Sequence, residues 1–270
     1  YIPGIVKGIG MVINALLAPD EKVVIQPPVY HPFRLVPQGN KREVVYNPLI
    51  HNADGSYSMD FDNLAKVCDD KCRLLVLCNP HNPAGICWSK ETLSRLADFC
   101  YDHHLLVISD EIHCDMAIFG HHHVPFASVS DKAAQISITF QAPTKTFNIA
   151  GIISSHALVP NSDIRKKFYG WLKANELDEA HIFAPIATIA AFRKGEEWRR
   201  QMLAYVEGNI RFVEDFCKAH IPGVHPVRPE ASFLVWLDCR ELRLDHKTLL
   251  DLFIDKAHLA LNDGEMFGPG

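Results

Sequence analysis

The sequence lacks the marks of several large classes of protein. No apolar stretch among its 270 residues is long enough to cross a bilayer. The chain has no internal repeats and no low-complexity tracts, so it does not show the pattern of a solenoid or a disordered linker. No G-x-G-x-x-G motif follows a predicted strand, which disfavours a Rossmann-type nucleotide binder.

An excess of one charge is also missing. The formal net charge is −5, and the sequence contains no run of Lys and Arg. A balance this mild predicts neither a nucleic acid nor a membrane as a partner. With 48% hydrophobic and 22% charged residues, the composition is that of an ordinary globular protein.

Cysteines are present, but not in an arrangement that binds metal. The eight are scattered, and those in apolar runs, such as Cys78, Cys100 and Cys217, predict reduced core thiols of a cytoplasmic protein. Cys68 and Cys72 have no second pair that would complete a zinc site.

Three histidines stand together at His121, His122 and His123. A metal site is one interpretation, but consecutive residues cannot all point one way. We therefore favour a polar surface loop near the functional site and expect no bound metal.

Neither end of the chain resembles a natural boundary. Tyr1 takes the place of a starting Met, and the chain stops in the glycine-rich "MFGPG". We expect these residues to be the middle of a longer polypeptide, without its N-terminal arm and with a truncated C-terminal domain.

What the sequence does contain is an alternation of helical and strand-like segments. A helical period of apolar residues runs from Ile5 to Leu16 and is opened by Gly4. Residues 73–78, 105–109 and 135–140 are almost continuously apolar, as in strands that helices cover on both faces. The pattern predicts an α/β fold with a doubly wound, mainly parallel sheet.

The C-terminal part reads differently, with long helical segments and then the strand-like "SFLVWLD". We expect a large domain over residues 1–200 and a smaller α+β domain over residues 201–270.

Polar segments follow each of the three predicted strands. They are "NPHNPAG", "DEIHCD" and "APTKTFN". Because ligands of such sheets bind beyond the carboxyl ends of the strands, we expect the functional site there.

Two groups of opposite charge occupy these segments. Lys145 on its own reads as a solvated amine, but a partly desolvated lysine has a lowered pKa and forms an imine with an aldehyde. Asp110 on its own reads as a capping residue, but a buried carboxylate also keeps a ring nitrogen protonated.

Further groups fit the same ligand. Asn82 and His113 can hydrogen-bond a phenolate-like oxygen, although "NPHNP" also reads as a double turn. Tyr30 can lie flat on a planar ring, although such tyrosines are more often simply half-buried. The start of the first helix offers free backbone N–H groups and a positive dipole end to a phosphate, at Gly4, Ile5 and Val6. The set matches what is needed to hold pyridoxal 5′-phosphate.

With these motifs the sequence resembles fold-type-I pyridoxal-phosphate enzymes, and in particular the MalY/PatB-type cystathionine β-lyases, which are carbon–sulfur lyases. The matching stretches are "PPVYHPF", "NPHNPAGICWSKETL", "VISDEIHCD", "HVPFASVSD" and "TKTFNIAGI". They follow the family order over nearly the whole chain.

The resemblance implies a role for each residue. Lys145 would bind the cofactor aldehyde and later move the α-proton of the substrate, and Asp110 would face the pyridine nitrogen. Asn82 would bond the ring hydroxyl, and Tyr30 would stack on the ring. His113 stands where family aminotransferases usually have a tyrosine, which favours the lyase group.

The sequence departs from the family at two phosphate-binding positions. Ala142 replaces a frequent serine, and Ile153 replaces a frequent arginine. Phosphate binding would then depend on the helix that begins after Gly4, on Thr144 and on a partner subunit. The arginine that grips the substrate carboxylate would fall beyond Gly270.

The activity implied is α,β-elimination of cystathionine or a related cysteine thioether to pyruvate, ammonia and a thiol, in a cytoplasmic homodimer. Two alternatives stay open. One is a class I/II aminotransferase with the same fold. The other is a non-catalytic regulatory protein that retains the fold, against which the intact Lys145 and Asp110 argue.

Overall fold

A computed structural model describes residues 1–268, which form nine α-helices and ten strands. The helices are α1 (Ile5–Leu16), α2 (Pro32–Gly39), α3 (Phe61–Val67), α4 (Lys90–Asp102), α5 (Asp131–Ile136), α6 (Ser162–Ala174), α7 (Phe183–Lys194), α8 (Glu196–His220) and α9 (His246–Asp251). The strands are β1 (Lys22–Ile25), β2 (Val44–Tyr46), β3 (Ile50–His51), β4 (Tyr57–Ser58), β5 (Cys72–Cys78), β6 (Leu106–Asp110), β7 (Ser137–Gln141), β8 (His156–Leu158), β9 (His225–Val227) and β10 (Trp236–Asp238).

Six of these strands form the central sheet, in the order β2-β1-β5-β6-β7-β8. Every neighbouring pair is parallel except β7 with β8, which is antiparallel. The predicted α/β fold with a doubly wound, mainly parallel sheet is therefore confirmed.

The apolar runs are explained by two hydrophobic cores, one on each face of the sheet. On β5, Leu74 and Val76 belong to the core that includes α1 and α6, whereas Leu75 and Leu77 belong to the core that includes α4. Burying each such side chain stabilises the fold by about 1.5–3 kcal/mol. Because both faces are covered, the strand has no polar alternation.

One predicted strand begins too early. Residues 135 and 136 lie at the end of α5 rather than in β7. Ser130 caps this short helix, since its Oγ accepts a hydrogen bond from the Ala133 N–H at 3.1 Å. The cap signal lies five residues before the apolar run, and it prevails over the local strand pattern.

The C-terminal part contains the antiparallel pair β9–β10 and α9, which is followed by a π-helical turn at Leu252–Lys256. The predicted boundary between residues 200 and 201 falls inside α8. The division into two domains stays a prediction. Within residues 1–268, no helix is both long enough and apolar enough to span a membrane.

Candidate active site

The carboxyl ends of the three central strands lie side by side. Cys78, at the end of β5, is paired with Asp110, at the end of β6, and Asp110 is paired with Phe140 of β7. The polar segments that follow these strands therefore start from one edge of the sheet, where parallel α/β folds bind their ligands.

A cavity of about 1060 Å³ opens at this edge. Seven of the residues predicted for the site line it: Ile5, Val6, Tyr30, Asn82, Asp110, His113 and Lys145. Two others lie beside it rather than in its lining. Gly4 is the residue that precedes α1, and Thr144 is buried in the turn next to Lys145.

Asp110 is an unusual carboxylate because it is buried without a full set of donors. Its Oδ1 accepts a hydrogen bond from the Ile112 N–H at 3.1 Å. Burial raises the pKa of Asp110 to about 7; the charge of Glu111 adds to the rise, while the Ile112 N–H and the charge of Lys145 oppose it. A cation placed against this carboxylate would relieve the cost of burying the charge.

Lys145 projects from a tight turn after β7. The Phe147 N–H donates to the Pro143 carbonyl at 2.9 Å, and the Ile149 N–H donates to the Thr144 carbonyl at 3.0 Å. The lysine is exposed and lines the same cavity as Asp110. An amine and a buried acid therefore face one space.

His113 is held neutral at the cavity wall. Burial lowers the pKa of its imidazole to about 4, and the charge of Lys145 contributes to the effect. Its Nδ1 is buried and has no hydrogen-bond partner within the described residues. A buried polar atom of this kind calls for a ligand or water partner.

Asn82 and Tyr30 approach the cavity together. The Tyr30 N–H donates to the Asn82 carbonyl at 3.1 Å. The Oδ1 of Asn82 is buried and lacks a partner in the part of the chain that the structure describes. Burial raises the pKa of the Tyr30 hydroxyl, as do the nearby Asp110 and Cys78, so the phenol stays protonated.

Glu111, next to Asp110 in the chain, has a structural role. This fully buried carboxylate accepts hydrogen bonds from Ser109 Oγ (2.9 Å), the Phe126 N–H (3.0 Å) and Gln141 Nε2 (3.2 Å). His123 Nε2 lies 3.0 Å from Glu111 Oε2, the oxygen that also accepts from Gln141. Two neighbouring acids thus have opposite environments.

The histidine run divides in the same way. His121 and His122 are exposed, as expected for a polar loop, but that expectation is wrong for His123, whose side chain is largely buried against Glu111. The His123 side chain is buried because it contacts the Glu111 carboxylate, which is itself fully buried. Among residues 1–268 no group of three or more His, Cys, Asp or Glu side chains is arranged to hold a metal ion.

Sequence reasoning missed part of the cavity wall. Cys78, interpreted as a plain core thiol, lines the cavity, and so do Phe233, Trp236 and Phe267 from the C-terminal part. The position of Cys78 as the last residue of a predicted strand was a usable signal. The three aromatic residues gave none, because their approach depends on the tertiary fold.

These residues fit pyridoxal 5′-phosphate. Asn82 Oδ1 and His113 Nδ1, which are buried and have no partner within residues 1–268, suit polar groups of the cofactor, and buried Asp110 suits its protonated ring nitrogen. Lys145 offers an amine to an aldehyde, while the α1 N-terminus at Ile5 offers backbone N–H groups to a phosphate.

Comparisons with known proteins agree with this chemistry. Cystathionine beta-lyase PatB of Bacillus subtilis (strain 168) is 41% identical over 271 residues, which cover 100% of this chain and 70% of that protein. The crystal structure of cystalysin from Treponema denticola, which contains a pyridoxal 5′-phosphate cofactor, superposes with a TM-score of 0.95 at 32% identity, covering 99% of this chain and 68% of that one.

A PLP-bound C-S lyase from Staphylococcus hominis superposes with a TM-score of 0.89 at 32% identity, over 100% of this chain and 68% of that one. The family model described as aminotransferase class I and II matches residues 1–268. The sheet, the acid and the amine that line one cavity, and these similarities lead to one conclusion: the chain belongs to the class I and II aminotransferase family.

Proposed function

We propose that this chain is a pyridoxal-phosphate-dependent carbon–sulfur lyase. It would cleave cystathionine or a related cysteine thioether by α,β-elimination, giving pyruvate, ammonia and a thiol. The observation that carries the proposal is the shared cavity of Lys145 and Asp110, in a chain 41% identical to a cystathionine beta-lyase.

The residues that would hold the cofactor lie on several elements around the cavity. Asp110 would meet the ring nitrogen, Asn82 and His113 the ring oxygen, and Tyr30 the face of the ring. Lys145 would bind the aldehyde carbon. When bound, the cofactor supplies a protonated ring that accepts electrons from the substrate α-carbon.

The phosphate end would lie at the start of α1. Gly4 has a φ of 113°, which an L side chain rarely adopts. The N–H groups of Ile5 and Val6, at the start of α1, have no partner within the helix, as at the start of any α-helix. Thr144, beside Lys145, would add a hydroxyl. The positive end of the helix dipole favours an anion at this place.

Lys145 would also move the proton in the elimination. When not bonded to the aldehyde, its amine would be placed in the cavity as a base for the α-proton. Asp110, as an anion facing the ring nitrogen, would keep that nitrogen protonated. Burial lowers the pKa of His113 to about 4, so its imidazole is neutral at pH 7 and would not act as a proton donor in the elimination.

The wider setting is part of the proposal. An amino acid is the substrate class of the family, and a homodimer and a cytoplasmic location are proposed as well. All eight cysteines lie in the described residues and are free thiols, as expected in a reducing compartment. We also propose that residues 1–200 form a cofactor-binding domain and residues 201–270 a smaller C-terminal domain.

The experiment is a pair of assays on the cofactor-loaded protein. With cystathionine, the lyase releases pyruvate and a thiol. With an amino acid and 2-oxoglutarate, an aminotransferase of the same fold would form a new amino acid instead. Transfer without pyruvate release would replace the lyase with the aminotransferase, and no cofactor absorbance at all would favour a regulatory protein.

A further inference from the structure

The loop that carries Asn82 is fastened to a thiol. Cys78 ends β5, four residues before Asn82. Its Sγ lies 3.2 Å from the Asn82 nitrogen, whose N–H donates to the sulfur. The thiol hydrogen points to the Pro80 carbonyl, with an S–O distance of 3.5 Å. One side chain therefore satisfies two backbone groups of the same loop.

The Cys78 thiol must be protonated to donate to the Pro80 carbonyl while it accepts from the Asn82 N–H, and its surroundings favour the protonated form. It is buried, and both burial and the charge of Asp110 raise its pKa. A neutral thiol has one hydrogen to donate and sulfur lone pairs to accept with, so both bonds can exist at once.

Cys78 is itself held firmly. Its carbonyl accepts a hydrogen bond from Trp88 Nε1 at 2.9 Å, and in the sheet it is paired with Asp110. The thiol is therefore a fixed reference point for the loop that follows it. The backbone carbonyl of Asn82 in turn accepts a hydrogen bond from the Tyr30 N–H. Hydrogen bonds therefore connect Cys78 to Asn82 and Asn82 to Tyr30.

We propose that Cys78 is a positioning residue, whose thiol sets the place of Asn82, and through it Tyr30, against the cofactor ring. The inference rests on the proposed function, because Asn82 and Tyr30 matter in this way only when a ring is bound. Without the thiol, the Asn82 N–H and the Pro80 carbonyl lose their partner, so Asn82 is no longer held in one position.

The chain provides a matched control. Cys100 on α4 is also fully buried, and burial raises the pKa of its thiol. It belongs to the core on the opposite face of the sheet, away from the cavity. Cys100→Ala removes a buried thiol without touching the loop.

The test compares Cys78→Ala, Cys78→Ser and Cys100→Ala with the wild-type protein. Cofactor dissociation constants of the cofactor-free proteins are measured by fluorescence titration, together with the pH at which the bound cofactor changes colour. Cys78→Ala should weaken cofactor binding about tenfold, the scale of one lost buried hydrogen bond, and should shift that pH.

Cys78→Ser should recover most of the affinity, to within about threefold, because a hydroxyl also donates and accepts. Cys100→Ala should lower the unfolding temperature but leave the affinity and the colour-change pH as in wild type. These readouts separate positioning from general packing, which would alter only the unfolding temperature.

Wild-type affinity and colour-change pH in Cys78→Ala would overturn the role of Cys78. So would a loss in Cys78→Ser as large as that in Cys78→Ala, since the hydrogen bonds would then be irrelevant. A wild-type protein that takes up no cofactor would instead contradict the proposed function itself, so the two failures are distinguishable.

Discussion

At the scale of single residues, the site depends on two neighbouring acids with opposite surroundings. The Glu111 carboxylate has four hydrogen-bonding contacts, whereas the structure shows one backbone N–H donating to the Asp110 carboxylate. Because an unneutralised buried carboxylate is costly, Asp110 is prepared for a cationic partner that Glu111 does not need.

Asp110→Asn should therefore stabilise the cofactor-free protein at alkaline pH. The folded chain has a pKa of about 7 at this residue, and the unfolded chain has the ordinary low value. Stability is thus complete below the unfolded pKa and falls as the pH rises towards 7. At pH 8 the substitution should raise the free energy of unfolding by at most about 4 kcal/mol, with little change at pH 4.

Urea unfolding at the two pH values measures this effect, and Glu111→Gln is the control. Glutamine brings an NH₂ group among the donors to Glu111, so this variant should be less stable at pH 8. If Asp110→Asn instead destabilised the protein at pH 8, the negative charge of Asp110 would already be balanced by a partner in the folded, cofactor-free chain. Asp110→Asn should also weaken cofactor binding, since asparagine offers no negative charge to the ring nitrogen.

At the scale of elements, the pattern of strands and polar ends was informative because it is local. Asp110 follows an apolar run directly, and Asn82 and Lys145 come within five residues of the end of one. The expectation that they meet therefore required only parallel strands. Trp236 and Phe267 line the same cavity, although both lie more than ninety residues after Lys145 in the chain. No local period records which distant segment a loop will contact, so this wall could not be predicted.

One contact between the distant segments is a backbone crossing at Gly85. Its carbonyl accepts the N–H groups of Glu230 and Ala231 at 2.8 and 2.9 Å. A Cβ at this position would lie 2.4 Å from the Pro229 Cβ, and φ is +70°. Glycine is therefore required both by space and by backbone conformation.

Gly85→Ala should lower the free energy of unfolding by about 3 kcal/mol, the sum of overpacking and backbone strain. Gly55→Ala is the matched control, because φ is +86° there but a Cβ would meet nothing within 4 Å. That variant should lose only about 1 kcal/mol from strain. Urea unfolding measures both variants. If Gly85→Ala and Gly55→Ala lost equal free energy of unfolding, the two segments that cross at Gly85 could move apart at little cost.

At the scale of the whole molecule, α7 leaves an apolar face uncovered. Ile182, Phe183 and Ile186 are 72%, 66% and 59% exposed, and Ile189 and Phe192 continue the row. A contiguous patch of this kind is typical of an interface. In the proposed homodimer, α7 is the surface that we expect to be buried.

Ile186→Glu should therefore shift the protein from dimer to monomer, because a charge in an apolar interface loses its hydration. Light scattering measures the change in mass. Ile50→Glu is the control, since Ile50 is 45% exposed on β3 and is not part of the apolar row of α7, so this variant should leave the dimer intact. An unchanged mass in Ile186→Glu would place the interface elsewhere, and a monomeric wild type would remove the dimer altogether.

The most direct test of the whole account is chemical reduction of the cofactor-loaded protein with borohydride, followed by proteolysis and mass spectrometry. An imine at Lys145 would be fixed as a stable amine, so the cofactor should be found on the peptide that contains Lys145, and Lys145→Ala should carry none and lose the yellow colour. Cofactor fixed to a different lysine, or colour and turnover retained in Lys145→Ala, would contradict the account.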